Sequence, residues 1–479
     1  MRNRPHSPSI HILDNVSLLH VFFLCRPLLL DEDEIEYVLL PGGKWVRERW
    51  WYKLTHVCRR WRYLVLGSAS HLGLCLVCTY GTPVADMLAH SPSLPLIIDH
   101  VDIARKFTAE DEKGIMLALQ HRDRIRRIRL RIPIPNLQKI LLAIDDEFSM
   151  LEYMYLMPLA EHDVGLILPK TFQAPHLRHL LLLDFAIPIQ SPLLTPAIGL
   201  VTLSLERIHP SDYFSPNDLL QRLSLMPQLE ILTIGFHSPV RNREVEMPLL
   251  DTPAITHITL PHLHWFAFTG VSAYLEAVLP RMSAPLLKGL RIIFFNQLPF
   301  SVPHLLQFMS TRENFRFRSV SFLFSPRQLI MLVYPHHAAK MCTLAIMMAV
   351  PCTHLDRQVT SAAQIYDALR TAFSAVEHVT LQYDNRFTRS RDWQNGADGT
   401  QWRELLRSFG NVNTLRMPND GPVTQVAHCL RPDDEELSMK LLPELKDLKY
   451  FASSDAGEEF TSFTDAREKA GYPVTLTRI

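Results

Sequence analysis

The chain has little glycine and no net charge, and each of these properties argues against a class of binding function. Only 17 of its 479 residues are glycine, and neither the phosphate loop G-x-x-x-x-G-K-[ST] nor the dinucleotide-binding motif G-x-G-x-x-G occurs. Lysine and arginine total 49, and aspartate and glutamate also total 49. Binding to nucleic acids and to anionic membranes depends on an excess of positive charge. We therefore expect no phosphate-cradling loop, no nucleic-acid partner and no membrane partner.

Metal-binding and catalytic motifs are also missing. The seven cysteines are scattered, mostly in apolar stretches such as residues 74–78 (LCLVC), which is typical of reduced core thiols in an intracellular protein. Cys75 and Cys78 have the spacing of half a zinc site, but no second pair follows. The motifs H-E-x-x-H and G-x-S-x-G do not occur, and no ligand flanks His336 and His337. We expect no catalytic residue, metal or cofactor, and hence no enzyme.

No apolar run approaches the roughly 18 to 20 residues that a membrane-spanning helix needs. Residues 16–25 follow Arg2 and Arg4 and superficially resemble a signal peptide. However, Asp14 and His20 interrupt the pattern, and no small-residue cleavage site follows. We interpret this segment as an amphipathic helix of a folded domain. The predicted location is the cytoplasm, the nucleus or both.

The most informative segment is residues 51–64 (WYKLTHVCRRWRYL). Its apolar residues follow the i, i+3, i+4, i+7 spacing that predicts one stripe along a helix. These residues are Leu54, Val57, Cys58, Trp61 and Leu64. A short helix with so many apolar side chains needs a partner to cover that stripe. The partner is either the core of its own domain or a groove of another protein.

Three stretches resemble the F-box family. Residues 57–62 (VCRRWR) resemble the V-C-R-x-W-R signature that closes an F-box, and residues 12–22 (ILDNVSLLHVF) resemble its opening helix, L-P-x-E-L-L-x-x-I-F. Residues 76–84 (LVCTYGTPV) are similar to the continuation found in the large F-box families of mushroom-forming fungi. Asp14 stands where the family usually has proline, Val16 stands where it often has an acid, and an acidic insertion occupies residues 31–34.

The resemblance implies a substrate-receptor subunit of a Skp–cullin–F-box ubiquitin ligase. Such a subunit binds a Skp-type adaptor, and through it a cullin, while a second region binds an unknown target protein. The helical module is expected over residues 10–66. The residues expected to form its core or to face the adaptor are Leu13, Leu18, Leu19, Phe22, Leu54, Val57, Cys58, Trp61 and Leu64.

A six-residue pattern, apolar-x-x-apolar-x-apolar, recurs twelve times after residue 120. Its first three copies begin 26 residues apart, at Ile125, Leu151 and Leu177, and a period in this range is typical of a solenoid. The copies are Ile125/Ile128/Leu130, Leu151/Met154/Leu156, Leu177/Leu180/Leu182, Ile198/Val201/Leu203, Leu229/Leu232/Ile234, Ile255/Ile258/Leu260, Leu287/Leu290/Ile292, Phe317/Val320/Phe322, Met341/Leu344/Ile346, Val376/Val379/Leu381, Val412/Leu415/Met417 and Leu445/Leu448/Tyr450.

The pattern resembles a leucine-rich repeat, in which the last two apolar residues point inward from a short strand. The asparagine or cysteine that usually follows is replaced by Pro133, Leu159 and Phe185 in the first three copies. We therefore expect an α/β chain. A small all-α F-box-like module is followed by a joining segment over residues 67–119 and an irregular leucine-rich solenoid with parallel strands over residues 120–479. The alternative is an ordinary α/β domain whose strands share this pattern.

The alternating residues between and beside the inward pair are expected to face solvent and to bind the target. They are Arg127, Arg129 and Arg131 in the first copy and Tyr153 and Tyr155 in the second. Arginine and tyrosine are frequent in interface hot spots, and guanidinium groups suit carboxylates and phosphates. The hypothesis is an acidic or phosphorylated target. The alternative is a solvated basic strand paired with the nearby acids of residues 145–147.

Two other functional classes compete with the receptor. A repeat solenoid needs its open end covered, so the helical module could merely cap a non-catalytic repeat scaffold. An enzyme is the other class, and the missing motifs argue against it.

Overall fold

The computed structural model of the protein divides the chain into two compact units, Met1–Leu200 (unit 1) and Val201–Ile479 (unit 2). The predicted boundaries after residues 66 and 119 both fall within unit 1. The acidic insertion at residues 31–34 and the histidines at 336 and 337 lie outside the residues that the structure describes. Those residues are 13–25, 50–78, 83–90, 93–101, 105–159, 166–194, 197–237, 255–295, 301–310, 315–335, 345–384, 397–430, 441–451 and 457–479.

Unit 1 begins with short helices and continues with alternating helices and strands. Its helices are α1 (Asn15–Leu24), α2 (Trp50–Thr55), α3 (Arg59–Gly67), α4 (Ala69–Leu72), α5 (Val84–His90), α6 (Ala109–Leu119) and α7 (Ile134–Ala143). Its strands are β1 (Leu76–Val77), β2 (Leu96–His100), β3 (Ile125–Ile132), β4 (Tyr153–Pro158), β5 (Leu166–Ile167), β6 (His179–Leu183) and β7 (Phe185–Ala186).

The first helix begins at a side-chain cap. Asp14 precedes α1 in extended conformation, and its carboxylate accepts a hydrogen bond of 2.7 Å from the backbone N–H of Ser17. This contact satisfies one of the N–H groups that the first turn of a helix leaves free. Leu18 and Phe22 lie one turn apart on the same side of α1, and both are fully buried.

The prediction of one helix with one apolar stripe over residues 51–64 was wrong. Helix α2 ends at Thr55, and Cys58 is extended, with φ near −160°, before α3 begins at Arg59. The backbone N–H groups of His56 and Val57 close the end of α2 by bonding to the carbonyls three residues earlier. The break shifts the phase of α3, so that Val65 becomes its fully buried residue and Val57 is 56% exposed.

The main sheet of unit 1 is parallel, with strand order β1-β2-β3-β4-β6. Helix α6 connects β2 to β3, and α7 connects β3 to β4. The inward positions of the repeated pattern are confirmed here: Ile128, Leu130, Met154, Leu156, Leu180 and Leu182 are all buried. Strands β5 and β7 form a separate parallel pair.

Unit 2 repeats the alternation of strands and helices. Its strands are β8 (Thr202–Ile208), β9 (Ile231–Phe236), β10 (Ile258–Thr259), β11 (Trp265–Gly270), β12 (Met282–Ser283), β13 (Gly289–Phe294), β14 (Ser319–Phe324), β15 (Gln328–Tyr334), β16 (Ile346–Pro351), β17 (His378–Tyr383), β18 (Thr414–Met417), β19 (Asp447–Tyr450) and β20 (Thr475–Arg478). Its helices are α8 (Pro216–Leu223), α9 (Ser272–Val278), α10 (Pro303–Ser310), α11 (Leu355–Ala368), α12 (Gly399–Ser408), α13 (Asp420–Cys429) and α14 (Gly457–Lys469).

The strand order in unit 2 is β8-β9-β11-β13-β16-β15-β14-β17-β18-β19-β20. Within this sheet β15 runs antiparallel to both of its neighbours, whereas the other pairs that join these strands are parallel. The sequence analysis did not predict β15. Its buried residues are Leu329, Met331 and Val333, and Gln328 stands where the pattern would place the apolar residue before Met331 and Val333. Of the predicted ninth copy, Met341 and Leu344 lie outside the described residues, and Ile346 begins β16.

Two predicted copies were partly misplaced. Ile198 and Ile255, the first residues of the fourth and sixth copies, are exposed. The sixth copy forms β10, which pairs only with the short strand β12. The neighbouring main-sheet strand is β11, whose residues Phe266 and Phe268 are buried together with Leu263.

Buried amide side chains hold the ends of the strands in unit 2. The side-chain nitrogen of Gln358 on α11 donates to the carbonyl of Ser325 at 2.7 Å and to that of Cys352 at 2.5 Å. Asn419 accepts from the backbone N–H of Tyr383 at 3.1 Å and donates to the carbonyl of Tyr383 at 2.8 Å. These contacts satisfy backbone groups where the strands give way to turns. The fold is therefore a mixed α/β structure with a large, mostly parallel sheet.

None of the described helices is both long enough and apolar enough to cross a membrane.

Candidate interaction surfaces

The helices α1 to α4 share a small core. The rings of Phe22 on α1 and Trp61 on α3 meet edge to face, with centroids 4.7 Å apart. The guanidinium of Arg60 donates to the carbonyl of Leu13 at 2.6 Å and to the side-chain oxygen of Asn15 at 2.9 Å. These two contacts fix the start of α1 against α3, although their sequence positions are more than 40 residues apart.

The predicted module residues occupy three environments. Leu18 and Phe22 are buried, whereas Leu13 and Val57 are exposed. Half-buried are Leu19, Leu54, Cys58, Trp61 and Leu64. The sequence reasoning missed the buried residues Trp51, Thr55, Val65 and Leu72. Counting the helical phase from Arg59 instead of Trp51 places Val65 one turn after Trp61, and this signal was available in the sequence.

Helix α1 also carries an outer apolar surface. Val16 is 78% exposed and Leu24 is 70% exposed, and the exposed ring of Phe23 lies on the same side of the helix as Val16. On α3 the ring of Tyr63 is exposed. A helix with apolar residues on all sides is usually covered on all sides, so we define this set (Val16, Phe23, Leu24 and Tyr63) as the outer apolar surface.

Asp14 has a defined role where the F-box pattern usually has proline. The hydrogen bond from the backbone N–H of Ser17 lowers the pKa of its carboxyl, and the nearby charge of Arg60 acts in the same direction. The side chain therefore stays ionised and caps α1. The departure from the family pattern is thus compatible with a helix start at this position.

The prediction that Arg129 faces solvent was wrong. Its side chain is 3% exposed and forms an ion pair of 3.3 Å with Asp99 on the neighbouring strand β2. Asp99 lies directly opposite Arg129 in the strand register. A buried charge needs such a partner, because leaving water costs several kcal/mol. Asp99 precedes the repeat region, which explains why the sequence pattern did not reveal the pair.

The other predicted target-binding residues also contact each other. The guanidinium carbon of Arg127 lies 4.3 Å from the ring centroid of Tyr153, and this ring is tilted against His179 with centroids 5.6 Å apart. Tyr153 is buried, contrary to the prediction. Tyr155 and Arg131 are half-buried. The guanidinium groups of Arg127 and Arg129 are thus engaged within the protein, although a target would need them for binding.

Two of the acids that were considered as partners for the arginines of β3 pair with a different arginine. Asp145 and Asp146 both pair with Arg122, at 3.2 and 3.3 Å. These two aspartates therefore neutralise Arg122. Of the three arginines of β3, Arg129 forms its ion pair with Asp99 on β2.

Two buried thiols of the described residues have raised pKa values. Burial raises the pKa of the Cys78 thiol to about 12 and that of Cys429 to about 11. A thiol with such a pKa remains protonated at neutral pH and is a poor nucleophile and metal ligand. Across the described ranges, no three His, Cys, Asp or Glu residues are grouped as a metal site would require.

A comparison with models of known protein families finds no match, and a search of curated proteins finds no similar sequence.

Proposed function

We propose that the protein is a substrate-receptor subunit of a Skp–cullin–F-box ubiquitin ligase. Helices α1 to α3 form the adaptor-binding module, and the strands that follow hold the target. The protein performs no chemistry itself. By binding both partners it raises the concentration of the target near the ubiquitin-loading enzyme. Its place of action is the cytoplasm, the nucleus or both.

The outer apolar surface of α1 is the observation that supports this proposal most. Leu18 and Phe22 already supply the inner core, so Val16 and Leu24 are not needed for packing within the described helices, while the partly exposed ring of Phe23 contacts His71. Apolar residues concentrated on one exposed helix face are typical of a protein interaction site. The F-box resemblance assigns the same helix to adaptor binding.

A leucine-rich solenoid is the fold proposed for the target-binding region. Strands β2, β3, β4 and β6 follow one another in chain order, as do β17 to β20, and helices connect most of them. Asn419 also supports it. This residue stands two positions after Met417, one position before that of the asparagine in a leucine-rich repeat, and bonds to the backbone of the preceding strand.

The test is capture of a Skp-type adaptor by the full chain after co-expression. We expect the wild-type chain to retain the adaptor and Val16→Asp/Leu24→Asp to lose it, because two charges in an apolar interface remain unpaired. Leu142→Asp is the matched control. Leu142 on α7 is 80% exposed, so the same charge is introduced at an equally exposed leucine outside the module.

Variants of Trp61 are less suitable, because this ring packs on Phe22 and its removal disturbs the module itself. Retention of the adaptor by Val16→Asp/Leu24→Asp would contradict the proposed surface. Failure of the wild-type chain to retain any adaptor would contradict the receptor function.

The second candidate is a non-catalytic repeat scaffold in which the helices only cap the sheet. One observation favours it: buried Leu72 and Leu74 lead directly into buried Leu76 of the edge strand β1, so the helices continue into the sheet without an exposed linker. In that case adaptor capture fails, while Leu72→Ala unfolds the β1 edge, as amide hydrogen exchange would detect.

A further inference from the structure

The sheet of unit 2 has one face covered by helices and one face that is partly open. On the covered face, Phe322 contacts the ring of Tyr366 on α11, and Phe324 contacts that of Trp402 on α12. Successive side chains of a strand point to opposite faces. The alternate residues of β13 to β19 therefore share the other face, where most of them are half-buried or exposed, although Ser319, Ala349 and Thr414 are buried.

One row of this face crosses seven neighbouring strands at the same register. In spatial order its residues are Arg291, Met347, Leu332, Ser321, Thr380, Arg416 and Lys449. In this stretch the apolar Met347 and Leu332 lie next to Arg291, and the polar Ser321 and Thr380 separate them from Arg416 and Lys449. The register itself continues to Ala267 on β11 and to Thr477 on β20. We name these seven residues the cross-strand row.

The three cations of the cross-strand row form no ion pair within the described part of the chain, unlike Arg129 in unit 1. Arg416 and Lys449 stand directly opposite each other on β18 and β19. Like charges in that position destabilise a sheet. The nearest carboxylate on this face of β19 is Asp447, which lies opposite Thr414 in the adjacent row.

More apolar residues lie beside Met347 and Leu332. Ile293, Ile330 and Leu323 belong to the adjacent row of the same face, and all are half-buried. Aliphatic side chains between cations that have no ion pair among the described residues fit a partner with the opposite charges and an aliphatic segment between them.

We propose that this face binds an extended acidic–aliphatic–acidic peptide segment of the target, which crosses the strands along the cross-strand row. One carboxylate group lies over Arg416 and Lys449, a second lies over Arg291, and aliphatic side chains cover Met347 and Leu332. Neighbouring strands are about 4.8 Å apart, so the two cationic ends are about 24 Å apart. An extended peptide spans this distance with about seven residues.

This inference rests on the proposed receptor function and supplies the chemistry of its target. It also relocates the acidic partner that the sequence suggested for Arg127, Arg129 and Arg131. In unit 1 Arg129 contacts Asp99 and Arg127 contacts Tyr153, whereas the cations of the cross-strand row have no ion pair among the residues that the structure describes. An anionic ligand would relieve the repulsion between Arg416 and Lys449.

The test uses the full chain and a fluorescent nine-residue peptide, Glu-Glu-Leu-Thr-Leu-Thr-Leu-Glu-Glu, with binding followed by fluorescence anisotropy. The control peptide has glutamine in place of every glutamate. We expect Arg416→Glu/Lys449→Glu to weaken binding of the acidic peptide at least tenfold, and Arg291→Glu to weaken it severalfold. Leu332→Ser should also weaken binding, but it should affect both peptides equally.

Arg407→Glu is the matched control variant, because Arg407 is exposed on α12, outside the cross-strand row. It should change affinity less than twofold. Equal affinity of wild-type chain for the two peptides, no binding of the acidic peptide, or equal weakening by Arg407→Glu would each overturn the proposal. The thermal midpoint of every variant is measured to show that the chain is folded.

Adaptor capture by the same variants separates the two proposals. We expect Arg416→Glu/Lys449→Glu to retain the adaptor while losing the peptide. If the wild-type chain binds the peptide as expected and captures no adaptor, the receptor function is wrong and the peptide site stands. If it captures the adaptor and ignores the peptide, the receptor function stands and the peptide site is wrong.

Discussion

Arginine occupies the same position of the repeated pattern in both units, yet its environment differs. Arg129 in unit 1 and Arg291 and Arg416 in unit 2 each stand between the last two apolar residues of a copy. Arg129 is buried opposite Asp99. Arg291 lies between Ala267 and Met347, and Arg416 lies between Thr380 and Lys449.

The difference shows that the pattern decides the face on which a side chain lies, while the neighbouring strand decides its role. Opposite a carboxylate, the arginine contributes to the fold. Opposite alanine, methionine or another cation, it remains available to a ligand. The sequence period alone therefore does not distinguish a structural arginine from one that binds a partner.

Breaking the Arg129–Asp99 pair should produce the largest effect. Arg129→Ala leaves a mostly buried carboxylate without its ion pair, and we expect the free energy of unfolding of unit 1 to fall by about 3–5 kcal/mol. The double variant Asp99→Leu/Arg129→Met should recover most of this loss, because both charges are removed together. Denaturant unfolding, with hydrogen exchange of peptides from β2 to β4 to identify unit 1, measures both effects.

Arg131→Ala is the control on the same strand, since Arg131 is half-buried and outside any ion pair in the described residues. If Arg129→Ala were as mild as this control, the ion pair would not be what distinguishes unit 1 from unit 2.

The buried polar contact that supports the fold of unit 2 is an amide rather than an ion pair. Asn419→Ala removes two hydrogen bonds to the backbone of Tyr383, and a buried polar group without its partner costs about 1–3 kcal/mol. We expect a corresponding loss in the free energy of unfolding of unit 2, with faster amide exchange in β17 and β18. Asn411→Ala, at an exposed asparagine with one backbone contact, should have a smaller effect; equal losses would contradict this role for Asn419.

His100 should make the stability of unit 1 depend on pH. Burial lowers the pKa of its imidazole below the usual 6.5, against an opposing effect of Asp111. As the pH falls, the unfolded chain therefore binds a proton at His100 before the folded chain does. The neutral imidazole thus contributes to stability above pH 6.5, and this contribution is lost as the pH falls from 6.5 through the pKa of the folded state. Each pKa unit of depression corresponds to about 1.4 kcal/mol.

The pH effect is measured as the difference between wild type and His100→Gln in denaturant unfolding from pH 7.5 to pH 5. We expect the wild-type chain to lose more stability over this range than the variant, which cannot titrate at this position. Parallel profiles for the two proteins would show that His100 has no such effect.

Much of the sheet could be predicted from the sequence because each strand buries its own two apolar residues. Leu415 and Met417 illustrate this, as both are fully buried where the pattern places them. Strand β15 could not be found in this way, since residues 329–334 are all apolar and only the structure shows that Met331 and Val333 point inward behind the polar Gln328. The break before Arg59 was hidden because apolar residues happen to continue across it at helical spacing.

The candidate sites were less predictable, because they depend on contacts between distant positions. Asp99 neutralises Arg129 from 30 residues earlier, and no local pattern links the two. The cross-strand row depends on the reversed order of β14, β15 and β16, which places Leu332 between Met347 and Ser321. Asn419 was also missed, because it stands one position before the place where the repeat pattern expects an asparagine.

The smallest stability effect is expected at Arg416, and it completes the comparison between the units. Arg416 is exposed, forms no ion pair among the described residues and faces the like charge of Lys449. Arg416→Ala should therefore change the free energy of unfolding by less than about 0.5 kcal/mol, whereas the same substitution at Arg129 costs several. A large loss at Arg416 in denaturant unfolding would mean that the fold itself uses this cation. A negligible loss leaves ligand binding as the property that depends on its charge.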